Sequence, residues 1–129
     1  RLERSIIRDK RGFFLKVIDG NEEFNPFKCE VYITVAHPGQ TKGGHYHKVA
    51  NEWFTLIEGK AILLLEDVKT QQKNKIRLNS LNPKTIFVPP YLAHSFYNNG
   101  KSDYILLAYT DKIYHPNDTI SYDFGPIDE

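Results

Sequence analysis

No stretch of this 129-residue chain keeps apolar residues at a 3.6-residue period for the ten or more positions a helix needs. Short β-branched and aromatic runs recur instead, between turn sequences such as His37-Pro38-Gly39, Glu58-Gly59, Asn82-Pro83, Pro89-Pro90 and Asn98-Asn99-Gly100. The pattern predicts an all-β protein with strands over Phe13–Ile18, Cys29–Ala36, Gly44–His47, Glu52–Ile57, Lys60–Asp67, Lys75–Leu78, Thr85–Val88, Ala93–Asn98 and Tyr104–Thr110. About nine short strands at such spacing suit a double-sheet jelly roll or barrel. Within Cys29–Ala36, the residues Cys29, Val31, Ile33 and Val35 share one face and Glu30, Tyr32, Thr34 and Ala36 the other, the alternation of a half-buried sheet. The polar run Val68–Asn74 reads as a solvent loop. From Asp111 onward the chain is polar and carries Pro116 and Pro126, which predicts a surface-lying or frayed tail over 111–129 after a barrel spanning 9–110.

Composition narrows what such a protein binds. With 40% hydrophobic and 26% charged residues, the chain suits one domain over 1–129 with its own core. Seventeen Lys and Arg oppose sixteen Asp and Glu for a net charge of +1, without a block of like charge. That balance disfavours a dedicated nucleic-acid or membrane binder and points to small or neutral partners. Apolar runs such as Ala61–Leu65 fall far short of the about 20 residues of a membrane span, and the charged opening lacks the apolar stretch of a signal peptide. A cytoplasmic location is the expectation. The single cysteine, Cys29, excludes an internal disulfide and a multi-thiolate zinc site, and its place on an apolar strand face reads as packing. The sequence opens at Arg1 and has no methionine, which reads as a trimmed protein or a piece of a longer one.

The chemistry concentrates in Gly39–Gly59. On a strand, His45 and His47 project from one face, with Tyr46 on the other. A short connection, Lys48–Asn51, leads to Glu52, and an antiparallel return would set that carboxylate beside the imidazoles. Two His and one carboxylate suit a divalent transition metal with open coordination positions. Downstream, the Pro89-Pro90 turn places His94 at the start of another strand as a fourth candidate ligand. The alternative is a metal-free, hydrogen-bonded polar network.

These residues carry a resemblance. The first stretch resembles the first cupin motif at every fixed position: Gly39, His45, His47, Glu52 and Gly59. The second resembles the second cupin motif at Pro89, His94 and Asn98, with Pro83 and Tyr91 in place of its two glycines. Asp9-Lys10-Arg11-Gly12-Phe13-Phe14 resembles the D-x-R-G-x-F segment of sugar-nucleotide epimerases of the dTDP-4-dehydrorhamnose 3,5-epimerase superfamily. Pro38–Phe54, and more loosely Asp111–Tyr122, are similar to the C-terminal cupin domain of bifunctional capsular-polysaccharide enzymes that epimerise and then reduce a UDP-linked hexulose.

The resemblance implies a cupin, a jelly-roll barrel of the double-stranded β-helix type. It implies His45, His47, Glu52 and His94 as ligands of one divalent metal, zinc by family, with Fe, Mn or Ni equally served by the donors. The implied function is epimerisation or isomerisation of a nucleotide-activated 4-keto-6-deoxy sugar in surface-polysaccharide biosynthesis. The implied assembly is a homodimer with an extended strand contributed across the interface, fused to or working with a reductase domain. Rival functions are a metal-dependent dioxygenase or other small-molecule cupin enzyme, and a non-catalytic sugar-binding module.

Inverting a carbon beside a ketone needs a base, an acid and an oxyanion stabiliser. Lys42, Tyr91 and Tyr109 are the candidate acid–base residues, with Tyr97 behind them. Arg11 and Lys42 are the candidates for a diphosphate, followed by Arg77 and Lys60. Tyr46 is the candidate for stacking on a base, among several aromatics including Trp53 and Phe54. Each has a plainer alternative: Arg11 a cross-strand ion pair, Lys42 a solvent-facing loop residue, Tyr91 a shield over the barrel mouth, and Tyr97 and Tyr109 core or rim packing.

Overall fold

Strands form where the sequence alternates, and the computed structural model, which describes all 129 residues, contains eleven of them. They are β1 (Ile6–Asp9), β2 (Gly12–Ile18), β3 (Glu30–Ala36), β4 (Thr41–His47), β5 (Glu52–Glu58), β6 (Lys60–Asp67), β7 (Lys73–Asn79), β8 (Thr85–Val88), β9 (Leu92–Tyr97), β10 (Tyr104–Thr110) and β11 (Thr119–Ser121). A six-stranded sheet in the order β1-β2-β3-β10-β5-β8 faces a five-stranded sheet in the order β11-β4-β9-β6-β7, and every pairing is antiparallel. This is the all-β jelly roll the alternation predicts. Its one helical element is the 3-10 turn Pro116–Asp118.

The space between the sheets is apolar at one end and polar at the other. Along β10 the inward residues run Tyr104, Leu106, Ala108, Thr110. In register with them stand Ala36, Thr34, Tyr32 and Glu30 on β3, and Leu56, Phe54 and Glu52 opposite Leu106, Ala108 and Thr110 on β5. Tyr104 and Leu106 belong to a core of twelve buried residues with Phe54, Leu63 and Phe96. At the other end the row Glu30–Thr110–Glu52 puts two carboxylates, each 2% exposed, inside the molecule. In β3 it is therefore the more polar face, from Glu30 to Ala36, that turns inward.

The two outer faces differ. The C-terminal segment lies along the five-stranded sheet: Tyr122 donates to the Glu66 carboxylate, Lys75 and Arg77 donate to the main-chain oxygens of Asp128 and Glu129, and Tyr97 donates to Glu129 at 3.2 Å. Beneath it Ile62 and Ala93 are fully buried. The six-stranded sheet has no such strap over its outer face. There Phe13, Val35 and Ile105 form one cross-strand row, Leu15, Ile33 and Leu107 a second. In a third, Trp53 stacks between Phe87 and Tyr109, with ring centroids 5.1 and 5.3 Å away.

Three expectations change. The short β1 and β11 stand outside the predicted strands. β4 begins at Thr41, and β7 takes in Lys73 and Asn74 from the expected loop. The segment after Asp111 is neither frayed nor idle: β11 pairs with β4, setting Thr119, Ile120 and Ser121 opposite His47, Tyr46 and His45.

Candidate metal centre

His45 and His47 come from β4, His94 from β9 and Glu52 from β5. A register shift between Gly43 and His45 brings His45 opposite His94. Gly43 sits at φ +89°, and a Cβ there would approach the His94 carbonyl oxygen to 2.9 Å, so this bulge requires glycine. Glu52 reaches the histidines by a route other than the expected antiparallel return. Residues 48–51 cross from one sheet to the other, where β5 pairs with β10 and β8, so the carboxylate faces the imidazoles across the interior.

The four ligating atoms lie within 4.8 Å of one another. Glu52 Oε1 stands 2.7 Å from His47 Nε2 and 3.6 Å from His94 Nε2. All three of these atoms are buried, yet none has a partner in hydrogen-bond geometry. Buried polar atoms are rarely left so. Meanwhile the outer atom of each group is held: Leu92 O lies 3.0 Å from His94 Nδ1, Asp118 Oδ2 is 3.6 Å from His47 Nδ1, and the Tyr32 hydroxyl donates to Glu52 Oε2 at 3.0 Å. Ligands oriented from behind, with their free atoms converging on one point, fit a divalent cation. Three imidazoles and a carboxylate suit Zn, Fe, Mn or Ni.

Burial, helped by the neighbouring His94 and His47, pushes the His45 pKa down to about 4, and burial likewise lowers that of His94. Burial opposes protonation of His47 too, but the Glu52 and Asp118 carboxylates outweigh it and raise its pKa. For Glu52 burial favours the neutral acid, and His47, His94 and Tyr32 together outweigh it and keep the carboxylate ionised. His45 and His94 are thus neutral, as ligands must be.

The centre lines a cavity of about 520 Å³, within the range for small-molecule sites. Lys42 is on its wall, 7% exposed, with the Phe13 carbonyl oxygen at 3.4 Å as its polar partner. Burial, with the Arg11 charge, lowers its pKa against the pull of Asp9. Arg11 also lines the cavity, but its Nε and Nη2 are 3.2 and 2.8 Å from Asp9 Oδ2, so the guanidinium fork is already engaged.

The other candidates stand outside the cavity, and for those on strands the period of two explains it. Tyr46 alternates with the ligands and packs on Tyr91 and Tyr122, at 6.0 and 6.3 Å between ring centroids. Tyr91, at φ +66°, carries the Lys69 ammonium 4.1 Å from its ring. Tyr109 joins the outer stack on Trp53, and Arg77 and Tyr97 lie under the C-terminal segment. Sequence reasoning passed over Tyr32, Glu30 and Asp118. Glu30 Oε2 accepts from Gly20 N and pairs with Lys16, both at 3.0 Å, while its Oε1 accepts from Tyr114 N at 2.8 Å, so one buried carboxylate ties together β2, the following loop and the segment after β10. The parity of β3 was the available signal for Tyr32 and Glu30; for Asp118 no motif existed.

The sequence model of the polysaccharide biosynthesis C-terminal domain matches residues 7–122. UDP-2-acetamido-2,6-beta-L-arabino-hexul-4-ose reductase of Pseudomonas aeruginosa is 26% identical over 116 residues, 88% of this chain but only 29% of that protein. Spore coat polysaccharide biosynthesis protein SpsL of Bacillus subtilis is 24% identical over 84% of this chain and 76% of its own length. A glucose-6-phosphate isomerase of Thermococcus onnurineus is 31% identical over 95% of this chain and 73% of its own. Among solved structures, the capsular polysaccharide assembling protein CapF of Staphylococcus aureus superimposes with a TM-score of 0.84 at 23% identity, over 95% of this chain and 35% of that one. The dTDP-6-deoxy-D-glucose-3,5-epimerase RmlC of Legionella pneumophila gives 0.66 at 19% identity, over 95% and 71%. The fold is that of a cupin, and with nine-tenths of its length matched the chain belongs to the polysaccharide biosynthesis C-terminal domain family.

Proposed function

We propose that the chain is a metal-binding epimerase or isomerase acting on a nucleotide-activated 4-keto-6-deoxy sugar in the building of a surface polysaccharide. The observation that carries the reading is the shared cavity: four converging metal-type ligands and a buried amine, Lys42, line one space large enough for a sugar. The relatives' names, a hexul-4-ose reductase, a capsule-assembling protein and a 3,5-epimerase, supply the substrate class.

A divalent ion, zinc by resemblance, supplies Lewis acidity toward a ketone or enolate oxygen when bound. The rest falls to the chain. Lys42, its pKa lowered by burial, is suited to take the proton from the carbon beside the ketone. The electron pair moves onto the carbonyl oxygen, and a proton returned from the opposite face completes inversion. Lys42 lines the cavity from the five-stranded sheet, while Tyr32 on the six-stranded sheet holds Glu52 through its hydroxyl.

In D2O, the protein should exchange deuterium into UDP- or dTDP-4-keto sugars, with loss of exchange in Glu52→Ala and His94→Ala. Exchange that survives removal of all four ligands overturns the metal-assisted reading. Oxygen consumption with iron would mark a dioxygenase, and ligand binding without exchange a sugar-binding module. The glucose-6-phosphate isomerase relative supports a second reading, aldose–ketose isomerisation of a sugar phosphate, which shares the enolisation. Turnover of glucose 6-phosphate but of no nucleotide sugar would favour it.

A further inference from the structure

We propose that a second cavity, beside the metal centre, takes the nucleoside diphosphate end of the substrate, with Lys28, Lys48 and Lys112 holding its phosphates; this rests on the nucleotide-sugar reading given above. The cavity measures about 550 Å³, within the range for small-molecule sites. Its walls are the loop before β3, the crossing between β4 and β5 and the segment after β10. Lys112, His115 and Asp118 line this space and the metal cavity alike, so the two meet along one wall.

Charge selects an anion as the occupant. Three lysines stand on the wall, and none of their ammonium groups meets a carboxylate within the chain, whose lysine ion pairs are made by Lys16 and Lys73. The two acidic residues of the wall are already engaged. Asp111 accepts from the main-chain and side-chain nitrogens of Asn51, both at 2.9 Å, and Asp118 accepts from Lys48 N, Val49 N and Ala50 N. His115 adds a donor: its Nδ1 accepts from Asn117 N at 3.1 Å, which places the ring proton on Nε2. Ammonium and imidazole N–H groups without acceptors of their own suit phosphate oxygens. Arg11, the cation expected for this task, is held by Asp9 instead.

Phe27 extends the argument from a phosphate to a nucleotide. It lines the same cavity next to Lys28 and is 81% exposed. The loop that presents it is internally braced. Asn25, 6% exposed, donates through Nδ2 to the main-chain oxygens of Asp19 at 3.1 Å and Cys29 at 2.8 Å, and Lys28 is held at φ +55°, a conformation few lysines adopt. An aromatic ring fixed beside cations offers a base a face to stack on. Inorganic phosphate or a sugar phosphate would make no use of that ring, whereas a nucleoside diphosphate uses both the ring and the lysines.

Calorimetric titration of the chain with UDP, and separately with pyrophosphate, tests the proposal without turnover, and circular dichroism verifies that each variant folds. UDP is expected to bind one site per chain, and Lys28→Gln and Lys112→Gln each to weaken it about tenfold. Phe27→Ala is expected to weaken UDP about tenfold and to leave pyrophosphate binding unchanged. Affinity for UDP should persist in EDTA, because these lysines are not metal ligands. UDP that does not bind at about 1 mM, or binds the wild type and both lysine variants alike, overturns the proposal. Binding lost in EDTA also overturns it, since the diphosphate would then sit on the metal. Equal weakening of UDP and pyrophosphate by Phe27→Ala overturns the stacking of the base. The deuterium-exchange assay reads the function separately: exchange into a keto sugar without UDP binding sinks the subsite alone, and UDP binding that needs the lysines without any exchange supports the subsite and sinks the epimerase.

Discussion

Lys42 is a buried amine on the cavity wall whose polar partner is a carbonyl oxygen. If it moves the proton, Lys42→Ala should lower deuterium exchange by about 10²–10⁴-fold. Metal content should stay unchanged, since the four ligands remain, and metal analysis beside the exchange assay separates the two effects. Glu52→Gln makes the complementary prediction. It keeps the volume but removes the charge facing His47 Nε2 and His94 Nε2, so the variant should bind zinc at least tenfold more weakly in a competition titration. The residue scale also shows what was readable. His45, His47, Glu52 and His94 announce themselves by type and spacing and meet within 4.8 Å. Tyr46 and Tyr109 were attractive by chemistry alone, and strand parity, already visible in the sequence, sends both side chains away from the ligands.

At the scale of elements, the segment after β10 matters more than its composition suggests. Asp118 Oδ1 accepts from Lys48 N and Val49 N at 2.9 and 2.8 Å and Oδ2 from Ala50 N at 3.2 Å, fixing the crossing between β4 and β5, while Oδ2 also lies beside His47 Nδ1. Asp118→Ala should cost about 1–3 kcal/mol in stability by denaturant unfolding. It should also lower metal affinity by about 10–100-fold, the usual effect of losing a group that orients a ligand. Gly43→Ala is expected to fold less stably and bind metal more weakly, because its Cβ presses on the His94 backbone. β11 was illegible because three residues, Thr119, Ile120 and Ser121, are too few to show a period, and so short a segment makes a strand only where an edge offers it partners, as β4 does. The crossing at 48–51 was illegible for a related reason: a short connection serves a hairpin and a change of sheet alike, and only the packing of both sheets decides.

For the whole molecule, acid and metal act in opposite directions. His45 in the folded chain protonates near 4, against an ordinary 6.5, so between those values the unfolded chain holds more protons. Falling pH therefore favours unfolding of the metal-free protein, each unit of separation counting about 1.4 kcal/mol. His94 adds to this and His47, whose pKa is raised, partly offsets it. Melting in EDTA should show a lower midpoint at pH 5 than at pH 7. Zinc at 100 times its dissociation constant should add about 2.7 kcal/mol at neutral pH and far less in acid. The division of the interior bears on all of these measurements. The twelve-residue core continues along the same strands as the ligands, with Leu65 opposite His94 and Val88 opposite Glu52 where the two meet. A ligand can be exchanged while most of that core stays in place, so the same barrel can carry a different chemistry on the same strands.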